Sequence, residues 1–130
     1  MKDSPLCDLC RKEPETYKHL FCDCEKIQTI WIDICEWTKT NTGYQLDIGP
    51  KTIIFGTLRT RVLDLIIMAT KLYIYYCKMR KNMSPQSEEL IRRIEEIRTI
   101  EKYIAVKNGN LERHEKRWRN PHYQQQETNH

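Results

Sequence analysis

The 130-residue sequence has no long uncharged run; its longest stretches without Asp, Glu, Lys or Arg hold seven residues, as in Thr52 to Leu58. A membrane-spanning helix needs about 20 consecutive apolar residues, so none is expected. The opening MKDSPLCDLC lacks the apolar core of a secretory signal. That argues against export and for an intracellular setting, nuclear and/or cytoplasmic, where thiols stay free or bind metal. A catalytic constellation is also missing: His114, His122 and His130 have no Ser or Cys nucleophile with an oriented acid at recognisable spacing. Glu95, Glu96 and Glu101 lie at near-helical distances from Arg92, Arg93, Arg98 and Lys102, the pattern of solvated ion-pair faces. No internal repeat is evident, and the length suits one small domain with a modest helical core.

Glycine is scarce, four residues in all, and three of them fall between Thr40 and Gly56. That segment, TNTGYQLDIGPKTIIFG, reads as a connector loop with at most a short extended piece at Thr52 to Phe55. Elsewhere apolar residues recur at three- and four-residue steps. Ile27, Ile30, Trp31, Ile34 and Cys35, with Trp37 or Thr38, mark one stripe of a first helix ending near Thr38. Leu63, Ile66, Ile67, Thr70, Tyr73, Ile74 and Cys77 define a central helix between Thr60 and Asn82. It closes in Lys78, Arg80 and Lys81, which suit the negative end of a helix dipole. Ser84-Pro85 reads as the cap and first residue of a partner helix. Leu90, Ile91, Ile94, Ile97, Ile100 and Ile104 carry that helix to Lys107, and Asn108-Gly109 ends it. A short last helix bears Leu111, His114 or Glu115, and Trp118.

The chemistry-bearing pattern is Cys7-x2-Cys10-x8-His19-x4-Cys24. Two thiolates at that spacing fit a tight knuckle, and a His and a Cys about one turn apart can complete a tetrahedron around zinc. Pro5 and Pro14 restrict the flanking chain and lower the entropy lost when four side chains converge. Three thiolates and one imidazole close the site to substrate water, so a structural role is expected. Cys22 stands close enough in sequence to be an alternate ligand. Cys35 and Cys77 fall on apolar faces, as buried small hydrophobes do. A redox role for the Cys7/Cys10 pair lacks the surrounding strand-then-helix pattern. The expected architecture is therefore mostly α, a small N-terminal zinc knuckle followed by a helical bundle or hairpin. Its parts are knuckle plus first helix over residues 1–39, connector over 40–59, hairpin and short terminal helix over 60–120, and a disordered tail over 121–130.

The segment CDLCRKEPETYKHLFCDCEKIQTIW, Cys7 to Trp31, resembles the zinc-binding region at the C-terminus of reverse transcriptases from non-LTR (LINE-type) retrotransposons. There a Cys-x2-Cys knuckle precedes an ET-x-x-HL-F-x-x-C element and an apolar helix containing Trp; Glu15, Thr16, His19, Leu20, Phe21, Cys24 and Trp31 fall in place. LIIMATKLYIYYCKMRKNMSP (Leu65 to Pro85) and IEKYIAVKNGNLERHEKRW (Ile100 to Trp118) are similar to the helical tail of the same proteins, so the likeness spans roughly residues 5 to 119. Departures are Cys22 beside Cys24 and the brief lead-in before Cys7. Retroviral-type knuckles have four residues between the second Cys and the His, and the eight here set this chain apart from them. The resemblance implies a module that follows a polymerase and helps it engage RNA template or target DNA. The chain would be a fragment or stub of a larger reading frame, or a decayed or domesticated copy. No Asp-Asp pair of a polymerase and no clustered Asp, His and Asn of an endonuclease are present, so no enzyme activity is expected of this piece.

Charge is unevenly placed: residues 1–60 carry 8 basic and 9 acidic side chains, residues 61–130 carry 14 and 9. Such asymmetry suits an anionic partner, although a solvated helical face looks the same. If RNA or DNA binds, the expected contacts are Arg11, Lys12 and Lys18 beside the metal site and Lys71, Lys78, Arg80, Lys81, Arg92 and Arg93 around the second hairpin. Tyr17, Tyr75 or Tyr76 would stack on unpaired bases or pack on a helix. The alternative is a structural, protein-interaction module that docks on the polymerase domain through an apolar face such as Trp31, Trp37 and Trp118. Neither reading includes a membrane or a small-molecule substrate.

Overall fold

The structure, a computed structural model, describes residues 4–57, 60–80 and 83–121. Among these residues it is mostly α, with five α-helices and no strand beyond a single antiparallel bridge between Leu6 and Pro14. No helix in the described residues is long and apolar enough to cross a membrane. The expected tail lies outside the described residues from position 122 onward, as does Lys81.

After a π-turn, His19–Asp23, and a 3-10 turn, Glu25–Ile27, helix α1 runs Gln28–Thr42. It continues past Thr38, where its apolar stripe was expected to stop. The buried hydroxyls of Thr38 and Thr42 each donate to the carbonyl four residues back, at 2.6 Å, and so pass as core residues. Gly43, at φ +79°, then ends the helix. Asn120 holds this end from the far side of the chain, its N–H donating to Thr42 O at 2.8 Å and its amide to Gly43 O at 3.2 Å.

The connector is not all loop. Pro50–Phe55 is helix α2, where an extended piece was expected. Pro50 sits in the first turn, where a missing N–H costs nothing, and Gly56 at φ +83° stops the helix. Helix α3, Arg61–Met79, is capped by the Thr60 hydroxyl accepting from Leu63 N at 3.2 Å. All seven residues of its expected stripe are buried. The next helix, α4, spans Ser87–Lys107 and begins beyond Ser84-Pro85, with Gln86 at its N-terminus. The Gln86 N–H donates to Tyr73 Oη at 2.8 Å, which pins the chain to α3 before the helix starts and leaves Ser84 without a capping role. Leu90 and Ile94 are buried, but Ile100 and Ile104 are more than half exposed. Helix α5, Leu111–Arg117, has only seven residues and covers one flank of that distal half. Gly109, at φ +71°, turns α5 back along α4.

One hydrophobic core runs from Cys7 through Trp31, Ile66 and Ile74 to Trp118. Each fully buried Ile or Leu in it contributes about 1.5–3 kcal/mol of transfer free energy. The N-terminal segment that carries Cys7, Cys10 and Cys24 is thus part of the same core as the helices.

Candidate metal centre

Local hydrogen bonding builds the knuckle first. Cys7 N donates to Glu13 O at 2.8 Å and Glu15 N to Pro5 O at 2.9 Å, so residues 5–15 form a small hairpin around the Leu6–Pro14 bridge. Arg11 N donates to Cys7 O at 2.8 Å, and Arg11 takes φ +58°, the left-handed value that lets the turn close after Cys10. With the chain so folded, the backbone N–H groups of Lys12 and Glu13 reach the Cys10 sulfur.

The second pair of donors depends on the π-turn. In an α-helix, residues five apart are about 140° out of phase. Here Cys24 N donates to His19 O at 2.7 Å, an i to i+5 bond that widens the turn and brings His19 and Cys24 to the same side. Thr16 Oγ1 accepts the His19 N–H at 3.0 Å, fixing where the turn begins.

These elements gather the four expected donors. One atom from each of Cys7, Cys10, His19 and Cys24 lies within 4.8 Å of the others. Cys7 Sγ is 3.8 Å from Cys24 Sγ, and Cys10 Sγ is 3.3 Å from His19 Nε2. A tetrahedral ion with bonds of about 2.3 Å to sulfur and 2.0–2.1 Å to nitrogen sets S···S near 3.8 Å and S···N near 3.6 Å. A disulfide would require about 2.05 Å, and the cysteines are free. The quartet can therefore hold a metal ion. Cys22 is buried but is not one of the four. Of the other two cysteines, Cys77 is buried as expected, whereas Cys35 is half-buried, with its thiol directed at Leu46 O at 3.4 Å.

Electrostatics favour a cation at the centre. Burial raises the Cys10 thiol, but the N–H groups of Lys12 and Glu13, with His19 and Cys24, outweigh it and hold the pKa at about 6. Burial pushes Cys24 up to about 12; the Lys26 N–H opposes this and the nearby Cys7 and Cys10 sulfurs reinforce it. Three sulfurs packed this closely resist sharing negative charge until a cation neutralises it, so a metal bound here would release protons.

Comparisons with protein-family models, curated proteins and solved structures find no match for this chain.

A surrounding layer of hydrogen bonds and ion pairs holds the segments that carry the four donors. Glu15 Oε1 accepts the Asp8 N–H at 3.1 Å, while Lys78, from α3, lies 2.6 Å from Asp8 Oδ2 and 3.2 Å from Glu15 Oε2. Trp31 Nε1 donates to Phe21 O at 2.8 Å, and Gln28 Nε2 donates to Cys22 O and Cys24 O. Sequence reasoning had no signal for the Lys78 latch beyond the basic cluster itself, because its partners lie about 60 to 70 positions away in the chain.

The cations expected to meet nucleic acid are dispersed, and several are engaged. Lys78 is largely buried in its latch. Lys12 pairs with Glu25 at 2.9 Å and Lys18 with Asp23 at 3.4 Å, both in exposed settings. Lys71 donates to Tyr17 Oη and Ile54 O, each at 3.3 Å. Arg93 pairs with Glu89 at 3.3 Å and lies over the Tyr73 and Tyr76 rings, and Arg80 also lies over Tyr76. Arg11 and Arg92 are exposed. Tyr17 and Tyr75 are about half exposed, while Tyr76 is half-buried. The apolar docking face expected of the three tryptophans is not formed. Trp31 and Trp118 are fully buried and Trp37 is partly buried against the core, so the three offer no common exposed face.

Proposed function

We propose that this chain is a zinc-stabilised, non-catalytic helical module of the kind carried by non-LTR retrotransposon reverse transcriptases, helping a polymerase to hold RNA template or target DNA. The observation that carries this reading is the closed Cys7, Cys10, His19, Cys24 quartet, whose separations suit zinc and leave no position for substrate water. A supporting point is that each residue of the family-like element has work in building that centre. Glu15 and Thr16 accept backbone N–H groups, Leu20 and Phe21 are buried in the core, and Trp31 ties α1 to the π-turn.

Titration of labelled single-stranded RNA and duplex DNA at two salt concentrations tests the nucleic-acid half. Binding at low salt is expected, weakening with a log–log slope of about −0.7 per phosphate contact on a single strand. Absence of binding at low salt would favour the docking alternative. That second reading has its own observation: Met68, Leu72, Tyr75 and Met79 form an exposed stripe on α3 at four-, three- and four-residue steps, the spacing of a helix-packing seam. Under it, Leu72→Glu abolishes co-purification with a polymerase domain supplied in trans and leaves nucleic-acid affinity unchanged.

A further inference from the structure

We propose that the cleft between α4 and α5 is a phosphate-binding site for single-stranded nucleic acid, built on Arg98, Lys102 and Arg119. It rests on the nucleic-acid reading above, yet it moves the contact away from the metal centre and onto Arg98 and Lys102, which the sequence pattern assigned to solvated ion pairs, and Arg119.

The cleft has a volume of about 950 Å³, within the size range of small-molecule sites and ample for a nucleotide unit. Four cations line it, Arg98, Lys102, Lys116 and Arg119, against two acids, Glu112 and Glu115. Lys116 and Glu112 satisfy each other at 3.2 Å on the exposed rim. Among the described residues, Arg98, Lys102 and Arg119 have no carboxylate within the 4.0 Å ion-pair distance. A cluster of unpaired cations in a concave site is the arrangement that concentrates an anion.

Arg98 is held for this task. Its guanidinium carbon lies over the Trp118 ring, 5.2 Å from the centroid, within cation–π range. Trp118 itself is fully buried and donates from Nε1 to Glu101 Oε2 at 2.8 Å, which sets the ring's orientation. Burial and then the Arg119 charge draw the Arg98 pKa below its ordinary value, with Glu95 offsetting only part. Two guanidinium groups feeling each other's charge in a half-buried cleft are a standing cost that a bound phosphate removes, and the fork geometry matches phosphate oxygens in pairs. A separated strand can turn its phosphates to follow a cleft of this size, whereas a duplex holds its phosphates at fixed spacing along a stiff, wide rod.

The test uses the full, zinc-loaded chain and fluorescein-labelled single-stranded RNA, with the matching duplex as a comparison. Lys102→Gln/Arg119→Gln removes two exposed charges without touching the core, and unchanged helicity and melting confirm the fold. Its dissociation constant is expected to rise about tenfold or more for the single strand, and the salt slope to flatten by about 1.4, the share of two contacts. Lys39→Gln/Lys51→Gln removes the same charge from α1 and α2 and is expected to change affinity less than about twofold. Unaltered binding by the α4–α5 variant, or an equal loss in the α1/α2 variant, overturns the cleft while the nucleic-acid reading stands. A wild-type chain that binds no RNA at low salt overturns both.

Discussion

Replacing Lys78 by Met removes the cation that fastens the N-terminal cysteine hairpin to α3 while keeping most of the side chain's apolar stem. Its Nζ serves two carboxylates, at 2.6 Å and 3.2 Å, and Lys78 and Glu15 are each only 15% exposed, with Asp8 at 32%. Breaking a fully buried pair by deleting one partner costs about 3–5 kcal/mol, and an exposed pair is worth about 0–1 kcal/mol. Burial here is intermediate. Glu15 cannot simply turn to water, because the same carboxylate accepts the Asp8 N–H. A loss of about 2 kcal/mol is therefore expected, which lowers the melting temperature by about 8 °C at about 4 °C per kcal/mol for a chain of this size. The Asp8 hydrogen bond, with Glu15 adding to it, raises the Lys78 pKa above 10.5. A raised lysine stabilises fully below 10.5 and loses that contribution only as pH climbs through the folded value, so the effect is complete at neutral pH. Urea unfolding of the zinc-loaded protein, followed by far-UV circular dichroism, measures the loss. A double-mutant cycle with Glu15→Gln should return a coupling of about 1–2 kcal/mol. If Lys78→Met stays within about 0.5 kcal/mol of the parent, the latch contributes nothing and Lys78 reverts to a surface cation.

Gly56→Ala should cost about 2–3 kcal/mol, because its backbone, at φ +83° and ψ 175°, lies in a region essentially confined to glycine, and a polar contact is lost as well. The added Cβ falls 2.9 Å from Asp64 Oδ1, an atom already fixed by Thr57 N and Oγ1. Gly109→Ala, where nothing lies within 4 Å, should show only the strain, about 1 kcal/mol; equal losses at both sites in thermal melts would contradict the packing assignment. Burial, opposed by Glu101 and joined by Arg98, Arg117 and Lys102, lowers the His114 pKa below 6.5. A lowered histidine is unpenalised above 6.5 and costs stability as pH falls from there toward its folded value. Melting of the parent should therefore decline more steeply below pH 6.5 than that of His114→Gln, and parallel profiles would discount the effect.

Much of the helical frame was legible because its residues report locally. The buried set of α3 and the Gly109 terminator needed only periodicity and backbone freedom. Helix α2 was missed because Gly49-Pro50 and Gly56 are read as loop punctuation, although the same residues are suitable ends for one short helix. The distal half of α4 has the right period but too little covering it, since a seven-residue α5 reaches only the Trp118 side. The grouping of four metal-type donors was legible in their spacing, whereas the π-turn that makes His-x4-Cys converge was not. Pairings such as Lys78 with Asp8, or Arg98 beside Arg119, join segments whose neighbourhood only the fold creates.

Zinc content and X-ray absorption of the purified chain, beside Cys10→Ser, test the central claim most directly. One zinc per chain is expected, with three sulfurs at about 2.3 Å and one nitrogen at about 2.0–2.1 Å. Cys10→Ser should hold almost no zinc and lose order over residues 5–25 while most helical signal persists. Full zinc retention by Cys10→Ser, or an oxygen-rich shell in the parent, would contradict the account.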